Sequence, residues 1–204
     1  CLNNEDTAIN NLKKNTVAIF GKENTGKSTL FNKITDISLS LTSPNLHTTR
    51  DSVNWDVKYK GEIISFFDTA GFIRSRSNRK NRDFEKFSIN QSEYFIKNSS
   101  LIVLLLDATS ESRLDLSLIG SLAKRNKPFL VLVNKMDLVD YEENTFQQLI
   151  KSYKHISKQF NFKVEKFIPI SALKGDNIFK KNTNTPWYEG KTLIEELEQI
   201  SLFK

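Results

Sequence analysis

Cysteine is almost missing from this 204-residue chain. Cys1 is the only one, which excludes an internal disulfide framework and any multi-cysteine metal site. Histidine occurs twice, as His47 and His155, too few for a histidine-built zinc centre. The longest clean apolar run is the six residues from Leu101 to Leu106, whereas a helix crossing a bilayer needs about 20. A charged, apolar and small-residue leader is also lacking at the start, so secretion is not expected. Methionine is as scarce: residue 1 is Cys and the single Met is Met136, so a piece or processed product of a longer protein is expected. The expected location is a reducing cytoplasm or an organelle matrix, with no membrane partner.

What is present is a globular mixture, 38% hydrophobic and 26% charged. The length suits one domain with a real core. Thirty Lys and Arg against 24 Asp and Glu give a net charge of +6, which favours an RNA-associated role. Residues 1–15 are polar and read as a linker or frayed end. From Thr16 to Phe20 a β-branched run predicts a strand, followed by a glycine-bearing loop and a helix from Ser28 to Ile34. Val53–Tyr59 and Glu62–Phe67 flank Lys60-Gly61 as a hairpin. Phe84, Phe87, Gln91 and Tyr94 or Phe95 recur at helical spacing. Leu101–Leu106 and Phe129–Val133 predict parallel strands buried on both faces, with helical patterning over Leu114–Lys124 between them. Helix Phe146–Phe160, strand Phe167–Ile170 and helix Thr192–Leu202 complete the chain. Strands alternating with helices predict a three-layer α/β fold, and ligands of such sheets sit at the carboxyl ends of the strands.

Each chemical motif falls just after a predicted strand. Gly21-Lys22-Glu23-Asn24-Thr25-Gly26-Lys27-Ser28 fits G-x-x-x-x-G-K-[ST] between a strand and a helix, the context of a phosphate-binding P-loop. The amides of such a loop, here from Gly21 through Thr29, converge on a polyphosphate at a helix N-terminus. Lys27 is placed to reach the outer phosphates, and the Ser28 hydroxyl to bind Mg²⁺. Asp68-Thr69-Ala70-Gly71 ends another strand: Asp68 can hold Mg²⁺ through a water, and the Gly71 amide can meet a γ-phosphate. Thr48-Thr49-Arg50-Asp51 lies in a long polar loop, where Thr49 would complete the Mg²⁺ shell and order the loop. In Asn134-Lys135-Met136-Asp137, the Asp137 carboxylate can accept both N1–H and the exocyclic amine of guanine, a donor pair that adenine lacks. Asn134 can tie this loop to the P-loop, and the Lys135 stem can lie on the base. Backbone amides in Ser171-Ala172-Leu173-Lys174 could meet the guanine carbonyl.

This ordered set resembles the Ras-like P-loop GTPases, over about residues 16 to 202. The strings Val17-Ala18-Ile19-Phe20-Gly21, Gly26-Lys27-Ser28-Thr29-Leu30-Phe31-Asn32, Thr48-Thr49-Arg50-Asp51 and Asp68-Thr69-Ala70-Gly71 look like the bacterial Era/tRNA-modification/Der branch. Glu85-Lys86-Phe87-Ser88 and Leu104-Leu105-Leu106-Asp107-Ala108-Thr109 look most like the second G domain of Der (EngA) proteins. The resemblance implies a six-stranded, mostly parallel sheet with one antiparallel edge strand and helices on both faces, forming one G domain over 16–204. It implies GTP and GDP as ligands, Mg²⁺ as cofactor, and Lys27, Thr49 and Gly71 as the catalytic positions. By the same resemblance, another G domain and a KH-like domain would complete the parent chain, which would act on the large ribosomal subunit or its rRNA.

Three departures carry consequences. Der proteins usually have Pro-Asn-Val inside the P-loop, where this chain has Glu23-Asn24-Thr25; Asn24 sits where related GTPases hold K⁺. The residue after Gly71 is Phe72, where Ras-like proteins carry a water-orienting glutamine, so hydrolysis unaided is expected to be slow. That allows two rival readings, a GTP-hydrolysing switch and a slow-turnover regulatory module that binds GDP or GTP; an Era-like or tRNA-modification domain is a further alternative. Finally, Lys174-Gly175-Asp176-Asn177 with Asn184-Thr185-Pro186-Trp187-Tyr188-Glu189-Gly190 is similar to the equivalent segment of elongation factor 1-alpha and sulfate-adenylyltransferase GTPases. The Asp-x-Pro-Gly-His pattern of translation factors is lacking, so this tail is read as a loop pinned by Trp187, or else an added contact surface. Arg74, Arg76, Arg79, Lys80 and Arg82 form a basic run suited to rRNA phosphates.

Overall fold

A computed structural model describes residues 16–41, 54–59, 62–68, 94–110, 129–159 and 166–202. Its strands are β1 (Thr16–Gly21), β2 (Asn54–Tyr59), β3 (Glu62–Asp68), β4 (Leu101–Asp107), β5 (Phe129–Asn134) and β6 (Lys166–Pro169). Three long helices are α1 (Lys27–Leu41), α2 (Glu143–Gln159) and α3 (Leu193–Leu202), and residues 94–98 are also helical. The strands form one sheet in the order β2-β3-β1-β4-β5-β6. Only β2 is antiparallel, pairing with β3 so that Trp55 lies opposite Phe66. The other four pairings are parallel. This is the six-stranded sheet with one antiparallel edge that the sequence predicts.

The apolar runs are continuous because the central strands are covered on both sides. Successive side chains of a strand point to opposite faces. Val17, Ile19, Leu101, Val103, Leu105, Leu130 and Leu132 join one cluster, with Leu30, Phe31 and Ile34 of α1 and Leu193, Ile194 and Leu197 of α3. Their neighbours Ala18, Phe20, Ile102, Leu104, Leu106, Val131 and Val133 join the other, with Phe95, Ile96, Phe146 and Tyr153. Each face thus has its own helical layer. Among the described residues no helix is long and apolar enough to cross a membrane.

Boundaries differ from the predicted ones in an informative way. Strands β3, β4 and β5 each continue one residue past the apolar run, ending on Asp68, Asp107 and Asn134. Backbone pairing carries these polar residues along: Asp68 is in register with Ile19, and Asp107 with Asn134. Helix α1 runs on to Leu41 instead of stopping at Ile34, since no proline interrupts the sequence before Pro44. Helix α2 starts at Glu143, before the first apolar residue of its pattern, with an acidic side chain suited to a helix N-terminus. At α3, Thr192 and Glu195 bond reciprocally: the Thr192 amide donates to the Glu195 carboxylate at 2.8 Å, and the Glu195 amide to the Thr192 hydroxyl at 3.4 Å. The helix predicted over 84–95 is described only from residue 94, and the one over 114–124 lies outside the described residues.

Leu132 has no exposed surface and sits mid-strand between Leu105 and Ile168, both buried. Leu132→Ala should lower unfolding stability by about 2–5 kcal/mol, whereas exposed Lys151→Ala on α2 should change it by less than about 0.5 kcal/mol. Urea titration of both variants checks the contrast.

Candidate functional site

In a parallel sheet all carboxyl ends lie on one edge, and here the chain reverses its direction of travel across the sheet at β1, with β3 on one side and β4 on the other. Gly21 ends β1 at that edge, and the loop 22–26 leads straight into α1. A Cβ on Gly21 would lie 2.7 Å from the Leu105 carbonyl oxygen and 2.8 Å from the Thr25 hydroxyl. Gly26 has φ +93°, and a Cβ there would meet the Asn134 amide nitrogen at 2.3 Å. Both glycines are therefore dictated by close approach, and Gly26 by backbone conformation as well. Asn24 has φ +61°, a left-handed conformation that asparagine tolerates better than most residues.

The loop is closed from within. Thr25 donates its hydroxyl to the Lys22 carbonyl at 2.9 Å. The Lys27 ammonium, 6% exposed, donates to the Gly21 carbonyl at 2.7 Å and to the Lys22 carbonyl. The first helical hydrogen bond runs from the Leu30 amide to the Gly26 carbonyl at 2.8 Å. Lys22, Glu23, Asn24 and Ser28 face solvent, and Thr29 is half-buried.

Asn134 joins three loops. Its side-chain nitrogen donates to the Thr25 carbonyl at 2.7 Å, and its oxygen accepts from the Ala172 amide at 2.8 Å. The residue is 2% exposed, so both ends of a buried amide are satisfied. The Met136 amide donates to the Ile170 carbonyl at 3.2 Å, which holds the same two loops together a second time. Lys135 adopts φ +65° and opens the short 3₁₀ turn Met136–Val139, which carries the half-buried Asp137. Ser171 and Ala172 are buried, whereas Leu173 is 68% exposed. The Ala172 amide serves Asn134 and the Lys174 amide serves the Ser171 hydroxyl. The Leu173 amide has no such bond among the described residues.

The structure adds Asp107, a residue to which no sequence motif assigns a role. Its carboxylate accepts from the Thr109 amide at 2.9 Å and the Thr109 hydroxyl at 2.7 Å, and it ion-pairs with Lys135 at 2.5 Å. Burial at the strand end pushes the Asp107 carboxyl up; the bonds from Lys135 and Thr109 outweigh this and hold it below its ordinary value. An acid terminating an otherwise apolar, doubly buried strand is the signal that could have found it, because such a group needs partners.

Of the remaining predicted residues, Asp68 closes β3 beside β1. Thr49, Thr69, Ala70, Gly71, Phe72 and the basic run from Arg74 to Arg82 lie outside the described residues. Lys27 and Ser28 begin α1, and Asp68 is the last residue of β3, the strand that pairs with β1.

The tail is pinned as the sequence predicted. Trp187 donates its indole N–H to the Tyr141 carbonyl at 3.0 Å and packs on Phe146, ring centroids 5.2 Å apart. Asn177, 1% exposed, organises the turn beneath: its side chain donates to the Pro169 carbonyl at 2.9 Å and the Thr185 hydroxyl at 3.1 Å, and accepts from the Asn182 amide at 2.8 Å.

A parallel sheet with a glycine-gated loop after its first strand, cross-linked to two further strand-end loops, is the G domain of a P-loop GTPase. A family model described as 50S ribosome-binding GTPase matches residues 16–135, and the chain belongs to that family. It is 38% identical to GTPase Der of Thermotoga petrophila over 165 residues, 80% of this chain and 37% of the relative. The chain thus spans little more than a third of the Der relatives it matches. Over 73 residues it is 45% identical to elongation factor 1-alpha of Methanopyrus kandleri, 35% of this chain and 17% of that protein. Among solved structures, Era of Aquifex aeolicus bound to GDP·AlF4⁻ matches with a TM-score of 0.58 at 26% identity, covering 92% of this chain and 56% of that one.

The Asp107–Lys135 pair generates a prediction with a definite sign. A carboxyl held below its ordinary value of 3.8 stabilises the fold above that pH, and the contribution is lost as pH falls through the lowered value. Asp107→Asn should therefore cost about 1–2 kcal/mol at pH 7, and the gap to wild type should shrink below pH 3.8. Denaturant titrations at both ends of that range test it.

Proposed function

We propose that this chain is a GTP-binding switch domain that hydrolyses GTP to GDP and phosphate. The observation that carries the reading is the buried Asn134 amide, which fixes the P-loop against both strand-end loops suited to a guanine base. The domain is proposed to span 16–204, with 1–15 as a linker, inside a longer Der-type protein that acts in large-subunit assembly in a cytoplasm or organelle matrix. Membership of the 50S ribosome-binding GTPase family and the Der relatives support that assignment.

In this reading the amides of residues 21–29 and the Lys27 ammonium grip the phosphates. Lys27 would exchange its two loop carbonyls for phosphate oxygens without leaving the loop. Asp137 accepts two hydrogen bonds from guanine, Lys135 lies along the base, and the Leu173 amide faces the guanine carbonyl, while buried Ser171 and Ala172 hold its loop, the Ala172 amide being spent on Asn134. Ser28, Asp68 and Thr49 would hold Mg²⁺, which neutralises charge between the β- and γ-phosphates when bound. Thr49 and Gly71 respond to the γ-phosphate, and the water that attacks it must be oriented by something other than Phe72. Phosphoryl transfer passes through a loose, charge-spread transition state, so positioning and electrostatics are what the loops must supply. The basic run from Arg74 to Arg82 is proposed to contact rRNA phosphates, with salt-sensitive affinity.

Phe72 also favours a second reading, a slow-turnover GDP/GTP-binding module whose output runs through its neighbours. K⁺ held by Asn24 would separate the two by supplying positive charge where an arginine finger acts elsewhere, an effect worth about 10³ to 10⁵ in rate. GTP turnover by the purified chain should be faster in KCl than in NaCl at equal ionic strength; equal rates remove K⁺, and a single-turnover rate unmoved by large ribosomal subunits then favours the slow module. For the base site, Asp137→Asn should relax preference from guanine towards xanthine nucleotides in calorimetric titration. Tight GDP binding by that variant would contradict the assignment of Asp137.

A further inference from the structure

Asn134 bonds the base-site loops from inside the sheet edge, and a second residue bonds them from outside. Tyr141 ends the turn that carries Asp137, and every polar group it owns is engaged. Its amide donates to the Met136 carbonyl at 2.8 Å, closing that turn. Its hydroxyl donates to the Asp176 carboxylate, at the far end of the loop that begins with Ser171. Asp176 is itself fixed on Ser171, whose carbonyl accepts from the Gly175 amide at 2.7 Å and the Asp176 amide at 3.2 Å. The Tyr141 carbonyl accepts from Trp187 of the tail. The residue is 8% exposed, and the Lys174 ammonium lies 5.5 Å from its ring centroid.

The backbone shows that this geometry is held and not incidental. Tyr141 has φ +55°, a conformation that a bulky side chain adopts only when its surroundings compel it. Burial, then the Asp176 carboxylate and the charge of Asp137, push the phenol well above its ordinary value. It therefore remains a donor at physiological pH.

We propose that Tyr141 is a positioning residue for guanine discrimination, fixing the Asp137 turn against the 171–176 loop, and that the 177–192 tail acts on the base site through the Trp187–Tyr141 bond. The proposal rests on the guanine reading of Asp137. An aspartate that must accept two donors side by side tolerates little rotation, whereas one donor can be followed by a small shift. The test base is therefore hypoxanthine, which keeps N1–H and lacks the exocyclic amine.

Calorimetric titration of the purified chain with GDP and IDP reads the effect, with thermal melting of the ligand-free protein as a parallel measure. Tyr141→Phe keeps the ring and loses the bond to Asp176; it should weaken GDP about tenfold and IDP no more than about twofold, so the GDP-over-IDP preference falls. Trp187→Phe keeps the ring packing and loses the donor to Tyr141; it should reduce the preference about threefold, and it stands in if Tyr141→Phe does not fold. Equal weakening of both nucleotides, or a lowered melting temperature with the preference intact, would mean a merely structural tyrosine and overturn the inference. If wild type itself prefers neither GDP to IDP nor GDP to ADP, the guanine reading fails first. A wild-type preference that both variants retain sinks the inference alone.

Discussion

One buried primary amide holds the functional edge of this protein together. Asn134 is the last residue of β5, and its two hydrogen bonds connect segments more than a hundred and thirty residues apart at their extremes, from Thr25 to Ala172. Each bond is ordinary in length, but in a dry site an unmatched carbonyl or amide costs about 1–3 kcal/mol. The loops are thus committed to one mutual arrangement. Gly26 belongs to the same constraint, because any side chain there would stand where the Asn134 amide needs to be. The P-loop and the loops that follow β5 and β6 are consequently not independent.

A pattern of alternation governs how that edge is presented. The strands β1, β4 and β5 place odd and even positions in separate clusters, and each cluster has its own helices. With both faces of these three strands covered, polar residues collect at the strand ends, and one end brings together Gly21, Asp68, Asp107 and Asn134. The ordered polar terminations are the price of making a site out of buried strands, since carboxylates and amides must then be partnered by residues of other loops.

Most of this architecture was legible from the residues. Continuous apolar runs separated by helical spacing give the parallel sheet, Lys60-Gly61 between alternating segments gives the antiparallel edge, and the P-loop and base-loop strings find their places at strand ends. Asn134 was expected to tie its loop to the P-loop, and it does. What sequence reasoning missed has a common cause. Asp107, Tyr141 and Asn177 matter through partners 28, 35 and 8 residues away, and a pattern of short-range spacing holds no information about such pairs. Their individual chemistry is unremarkable; only the register of β4 with β5 brings Asp107 to Lys135, and only the path of the tail brings Trp187 to Tyr141. The tail itself, readable as a turn-rich loop, gains its meaning from what it touches.

The far margin of the sheet deserves a consequence of its own. β6 is four residues long, starts on exposed Lys166 and finishes on Pro169, which has no N–H. A strand arriving from another molecule would find a charged entrance, a short ladder and a missing donor. The border nearest the loops after β5 and β6 is thereby a poor template for intermolecular sheet growth.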